Sequence, residues 1–177
     1  MILAGETDEM IKLLLEGLKK HNLYHNTIII LFADHCTNFD YTFLSRHKIT
    51  YDHRIDHTPF LIWSANMKGK IINKTSCQLD ILPTVLNLFG IPFQEKTFIG
   101  RDIFDNNNSG FAFFDDYSWI DGKILVNNEK IVKLKNISDN EIDKKYILNK
   151  NQEVRERFKQ NDLTLKYDYL KFILNNN

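Results

Sequence analysis

TIIILFADH, Thr27 to His35, is the stretch on which the fold turns. Isoleucines, a leucine, a phenylalanine and an alanine follow one another without a charge until an adjacent Asp34 and His35. A run with no polar alternation predicts a strand, Ile28 to Phe32, buried on both faces of a parallel sheet covered by helices. Ligand sites in open α/β sheets lie just beyond the carboxyl ends of the strands, so Asp34 and His35 stand where that architecture puts its chemistry. A hard carboxylate beside an imidazole can share one divalent ion, and His is a common ligand of first-row metals. Two adjacent letters also describe a structural Asp-His turn, and the residues alone leave both readings open.

Working outward, the segment before this strand reads as a helix over Asp8 to Lys20. Ile11, Leu14, Leu15 and Leu18 form one apolar stripe, Lys12, Glu16 and Lys19 are polar, and Thr7 or Asp8 can cap the first turn. Helix, short turn and apolar strand make half of a βαβ unit, and the strand expected to precede the helix is expected outside this sequence. After the strand, Cys36 to Asp56 is polar and rich in aromatics and His, a usual place for substrate contacts. Thr58-Pro59 introduces a second apolar strand, Phe60 to Trp63.

Asp80 to Gly90, DILPTVLNLFG, is the clearest helix. Asp80 is its expected N-cap, Pro83 falls in the first turn, and Leu82, Val85, Leu86 and Phe89 are expected to pack inward. Gly90 supplies the left-handed stop and Pro92 prevents continuation. Short antiparallel strands are expected at Phe111 to Phe114, Ser118 to Ile120, Lys123 to Val126 and Ile131 to Leu134, turning around Asp121-Gly122. Asp139 to Phe158 and Tyr167 to Leu174 read as helices.

Composition narrows the function. Lys+Arg and Asp+Glu both number 23, so the formal net charge is zero and no nucleic-acid partner is expected. With 43% hydrophobic and 12% aromatic residues among 177, the chain can build a core. Cys36 and Cys77 form no zinc spacing, and the sequence leaves buried thiols and a disulfide both open. No run reaches the roughly 18 apolar residues of a membrane span, so any anchor is expected outside these residues.

The order of these pieces resembles the carboxyl-terminal half of the sulfatase-like, alkaline-phosphatase-superfamily domain of lipoteichoic acid synthases and related phosphoglycerol transferases. The residues that carry it are LYHNTIIILFADH, then TPFLIW, QLDILPTVLNLFGI, IGRDIF and FDDYSWI, with NDLTLKYDYLKFI at the end. The resemblance implies an α/β fold: the carboxyl-terminal part of a three-layer sandwich, with a small antiparallel sheet and terminal helix. Residues 1–105 would then belong to the sulfatase-like catalytic domain and residues 106–177 to a subdomain closing it.

The same resemblance implies that Asp34 and His35 are ligands of a catalytic divalent metal, manganese in this family. A further acidic ligand and a Thr nucleophile belong to the amino-terminal half of such domains, so no catalytic nucleophile is expected in this chain. The implied substrate is the headgroup of a membrane phosphatidylglycerol, on the outer face of a bacterial cytoplasmic membrane. The implied partner is the amino-terminal half of the same domain. His47, twelve residues after His35, stands where related phosphoethanolamine transferases place a site histidine and is the candidate substrate contact. Where many relatives carry an aromatic residue or Gly after Asp-His, this chain has Cys36, a departure from the family pattern at the mouth of the implied site; on its own residues Cys36 reads as a small buried residue of the strand-exit turn. Arg101-Asp102 is read as a turn contact, and Trp63 and Trp119 as core aromatics. The rivals are a sulfatase or phosphoethanolamine transferase on the same scaffold, which would differ at the nucleophile, and a non-catalytic fragment or interaction subunit.

Overall fold

The computed structural model describes residues 2–36, 41–48, 56–127, 130–135, 138, 142–169 and 171. They fall into two compact units, Met1–Ile71 and Ile72–Asn177. The 105/106 boundary expected from the sequence lies inside the second of these. There Asn108 Nδ2 donates to the Asp102 carbonyl oxygen at 3.0 Å, a bond that crosses that boundary.

In the first unit α1, Ile2–Lys20, begins earlier than expected, so Thr7 and Asp8 lie within the helix and do not cap it. Ile11, Leu15 and Leu18 form its half-buried stripe, while Leu14 is exposed. Lys19 and Lys20 occupy the last turn, where the helix dipole favours cations. The helix ends in a Schellman turn: Leu23 N–H reaches the Leu18 carbonyl at 2.9 Å, with Asn22 left-handed at φ 59°. Tyr24 then packs edge-on against Trp63, with ring centroids 5.3 Å apart.

β1, Ile28–Phe32, pairs with β2, Phe60–Ser64, in register from Ile28↔Ser64 to Phe32↔Phe60. The pairing is antiparallel, which corrects the expected parallel arrangement. Burial is also less than expected, since Ile28 to Leu31 are half-buried and Phe32 is 56% exposed. The physical reason is that an unbroken apolar run reports how apolar a strand is and carries nothing about its direction. A parallel neighbour requires a crossover. Here the intervening chain carries the short helix α2, Tyr41–Arg46, and returns to pair antiparallel. The two-stranded sheet gives each strand one ladder neighbour among the described residues.

The second unit opens with a 3₁₀ turn, Gln78–Asp80, that runs into α3, Ile81–Leu88. Gly90, at φ 63°, ends it as expected, with Ile91 N–H on the Leu86 carbonyl and Gly90 N–H on the Asn87 carbonyl, both 2.9 Å. Its packing differs from expectation: Pro83 and Thr84 are buried, Val85 and Leu86 half-buried, and Leu82 and Phe89 exposed by 55% and 56%. The helix turns its polar first turn inward because Asp80 and Thr84 find backbone partners there.

β3, Ala112–Phe113, β4, Trp119–Ile120, β5, Ile124–Asn127, and β6, Lys130–Lys133, form an antiparallel meander in chain order. Period-two alternation sorts the side chains into two cores. Phe111, Phe113, Trp119, Ile124 and Val126 meet Ile147 and Val154 of α4, Lys144–Lys166. Ala112, Ile120 and Leu125 pack with Cys77, Phe114, Val132 and Leu134 on the other face. Asp143 caps α4 by accepting Lys145 N–H at 2.8 Å. α4 continues to Lys166, past the Phe158 at which the first of the two expected helices, Asp139–Phe158, was to end, and Tyr167 caps it; of the second, Tyr167–Leu174, the described Tyr169 and Lys171 are helical. Residues 139–141, 170 and 172–177 lie outside the described residues.

Candidate metal centre

Asp34 and His35 lie just past β1, separated from it by Ala33, in a bend beyond its last paired residue. The Asp34 Oδ1 accepts the His35 backbone N–H at 2.9 Å, which folds the carboxylate back over the turn. His35 Nδ1 lies 2.7 Å from the Cys36 carbonyl oxygen. A carbonyl only accepts, so Nδ1 carries a proton, and in the neutral ring that leaves the lone pair on Nε2. Nε2 stands 3.7 Å from Asp34 Oδ2, and the side chains are 66% and 87% exposed respectively.

This donor set fits a divalent ion in kind. A metal-binding His characteristically donates its other ring N–H to a backbone carbonyl or carboxylate, which fixes the tautomer. The gap between Nε2 and Oδ2 is slightly wider than the roughly 3.0–3.4 Å expected of two donors bonded to one ion at about 2.1 Å. The pair supplies two ligands, and among the described residues no group of three or more His, Cys, Asp or Glu side chains is placed to hold a metal. His47 is exposed in the turn after α2 and completes no such group. His53 lies outside the described residues, and the described His57 is exposed just before β2.

Cys36 and Cys77 are both free thiols. The Cys36 thiol donates to Asp56 Oδ1 at 3.2 Å. That hydrogen bond, then desolvation and the charge of Asp56, push the thiol above its ordinary value. Asp56 was not legible as a site neighbour in the sequence. The signal would have been register: continuing the β1–β2 pairing four residues beyond Phe32↔Phe60 brings Cys36 opposite Asp56. Burial and the neighbouring Asp80 push Cys77 up to about 12, which leaves it an inert core thiol.

The chain matches the sulfatase family model over residues 3–91, half of its length. It belongs to the sulfatase family. Within that family it is lipoteichoic acid synthase-like: it is 28% identical over 186 aligned residues to the lipoteichoic acid synthases of Staphylococcus aureus strains USA300, COL and MW2, covering 97% of this chain. The same alignments cover 28% of each relative, so the chain spans little more than a quarter of the length of the curated relatives it matches. The fold is α/β, with mixed helices and small antiparallel sheets. Among the described residues no helix is long and apolar enough to cross a membrane.

The family-matched segment also contains Asp80, which proves structural. Its carboxylate is 5% exposed and accepts Cys77 N–H at 2.9 Å and Arg101 N–H at 2.7 Å. Burial pushes its pKa up, and the two N–H donors and Arg157 pull against that rise. Arg101, read from sequence as a turn contact, bonds Glu153 Oε1 at 2.6 Å. Arg157 also meets Oε1 at 3.0 Å, and Lys150 meets Oε2 at 2.8 Å. Burial opposes ionisation of Glu153, but these cations outweigh it and hold the carboxyl below its ordinary value. This network borders a cavity of about 720 Å³ in the second unit, lined also by Phe93, Phe98 and Asp105. Three acids on its wall are already engaged within the fold: Asp102 accepts from Asn87 Nδ2, Asp105 from Asn107 N–H, and Glu153 from Arg101.

Proposed function

We propose that this chain carries the Asp34–His35 portion of the divalent-metal centre of a phosphoglycerol transferase of the lipoteichoic acid synthase type. The observation that supports it is the turn itself: His35 spends its Nδ1 proton on the Cys36 carbonyl, and its Nε2 lies 3.7 Å from Asp34 Oδ2. The similarity to lipoteichoic acid synthases over nearly the whole chain supports the reaction type. The ion is manganese in this reading. When bound, a divalent ion lowers the pKa of a hydroxyl nucleophile and offsets charge on phosphoryl oxygens. Asp34 supplies the anionic ligand, and His35 the neutral one with its tautomer already set. His47 is the candidate contact for the anionic headgroup of a membrane phosphatidylglycerol. The nucleophile comes from an amino-terminal sulfatase-domain segment, which is the partner of this chain, and the reaction takes place on the outer face of a bacterial membrane.

Calorimetric titration with manganese tests the metal reading. Weak binding is expected for the 177-residue chain, because catalytic sites generally hold three protein ligands and this pair provides two. Asp34→Ala and His35→Ala are expected to abolish it. Equal heats in all three proteins would make the pair a structural turn. The reaction is tested by release of glycerol phosphate from fluorescent phosphatidylglycerol vesicles, with the amino-terminal segment fused upstream. Turnover that survives Asp34→Ala would remove the assignment.

A further inference from the structure

Ladder pairing between β1 and β2 ends at Phe32 and Phe60, before the residues that matter most. Two of the bonds that shape the next turn are local, from His35 N–H to Asp34 Oδ1 and from His35 Nδ1–H to the Cys36 carbonyl. Local bonds of this kind give the turn an internal shape, but they can swing with it as one body. The Cys36–Asp56 bond is different. It joins residues 20 apart in the chain, linking the exit of β1 to the entry of β2, at 3.2 Å.

We propose that Cys36 and Asp56 are positioning residues for His35, clamping the strand-exit turn so that the ring keeps Nδ1–H on the Cys36 carbonyl and Nε2 toward Asp34. The carbonyl that orients the ring belongs to the same residue whose side chain is clamped. Any rotation of Cys36 therefore moves the acceptor of the His35 proton. A thiol is a weak donor, but a carboxylate acceptor strengthens the bond, and the contact is partly shielded. The clamp differs from an ordinary second ligand shell in acting one residue further out, through the backbone. The inference rests on the metal-centre reading above for its purpose, though not for its geometry.

The full chain, labelled with ¹⁵N in histidine, tests it by two independent readouts. The first is the His35 tautomer, from two-bond ¹H–¹⁵N correlations, with the His35 signals assigned by their loss in His35→Gln. The second is the manganese concentration that half-broadens those signals. Wild type and Cys36→Ser, whose hydroxyl can donate in the same place, are expected to show one Nδ1–H tautomer and the same midpoint. Cys36→Ala and Asp56→Ala are expected to mix tautomers and raise the midpoint about tenfold, the lower end of losses for outer partners of metal ligands. An unchanged Trp63 indole signal shows that the β1–β2 unit remains folded, and rescue by Cys36→Ser separates the lost bond from a lost side chain. Unchanged tautomer in both alanine variants would overturn the clamp. Absence of manganese broadening in wild type would overturn the metal reading instead, and the tautomer comparison would still decide the clamp.

Discussion

Asp80 accepts the backbone N–H of Arg101 at 2.7 Å, twenty-one residues away in the chain. This bond, with the 2.9 Å bond from Cys77 N–H, makes the family-matched Asp a tie between α3 and the loop that follows it. Asp80→Ala would leave two N–H groups in a nearly dry site. The expected loss is about 2–4 kcal/mol, since hydrogen bonds to charged groups exceed neutral ones and desolvation of the carboxylate offsets part of that gain. Asp80→Asn is expected to fare no better, because its amide nitrogen would face an N–H donor. Urea unfolding followed by Trp119 fluorescence, in a Trp63→Phe background, measures it.

Thr84 is fully buried and uses its hydroxyl twice, donating to the Asp80 carbonyl at 2.6 Å and accepting Ile103 N–H at 3.1 Å. Thr84→Val keeps the shape and strands the Ile103 N–H, so a loss of about 1–3 kcal/mol is expected. Thr84→Ser keeps both bonds and gives up one buried methyl group, at about 1 kcal/mol. The reverse order in the same unfolding assay would show that packing, and not the hydroxyl, holds this corner.

Gly100 is the third part of the same corner. A Cβ there would lie 2.0 Å from the Leu79 carbonyl oxygen and 2.7 Å from Asp80 N, which are backbone atoms without a rotamer to yield. Gly100→Ala is expected to cost about 3 kcal/mol, the upper end of ordinary overpacking. The measurement is the shift in unfolding midpoint. Gly69→Ala, where a Cβ meets open space, serves as the control and is expected to be nearly neutral.

How far the sequence carried can be read from these residues. Local signals were legible. Gly90 ended α3 where a left-handed residue was required, and Asp121-Gly122 turned the meander, with Gly122 at φ 82°. The apolar runs marked both β1 and β2 to within a residue. Partners across space were less so. Asp80 reads as an N-cap because Asp before an apolar helix usually is one, yet its side chain makes no cap bond to α3 and accepts the N–H groups of Cys77 and Arg101 instead. The direction of β1 and the Cys36–Asp56 contact depend on which strand returns beside it, and periodicity holds no information about that. The adjacency of Asp34 and His35 was visible at once, whereas the tautomer of His35 needed the turn.

Glu153 provides the pH test. It gathers Arg101, Lys150 and Arg157, and its side chain is 27% exposed. Because its carboxyl is held below the ordinary value of 4.5, the folded chain binds a proton there less readily than the unfolded chain. The stabilisation is therefore complete above that value and is lost as pH falls through it towards the folded pKa. Glu153→Gln, which keeps the size and removes the charge, is expected to lose about 1–3 kcal/mol at pH 7, less than a fully buried broken pair because water still reaches the site. The gap between wild type and Glu153→Gln should then narrow on acidification below about 4.5 and close a unit or two further down. Comparing the two proteins at each pH cancels the opposing contribution of Asp80, whose raised carboxyl acts in both. The check is a series of urea midpoints from pH 3 to pH 8, which spans that window. A gap that widens in acid would mean that the three cations gain nothing from this carboxylate in the folded state.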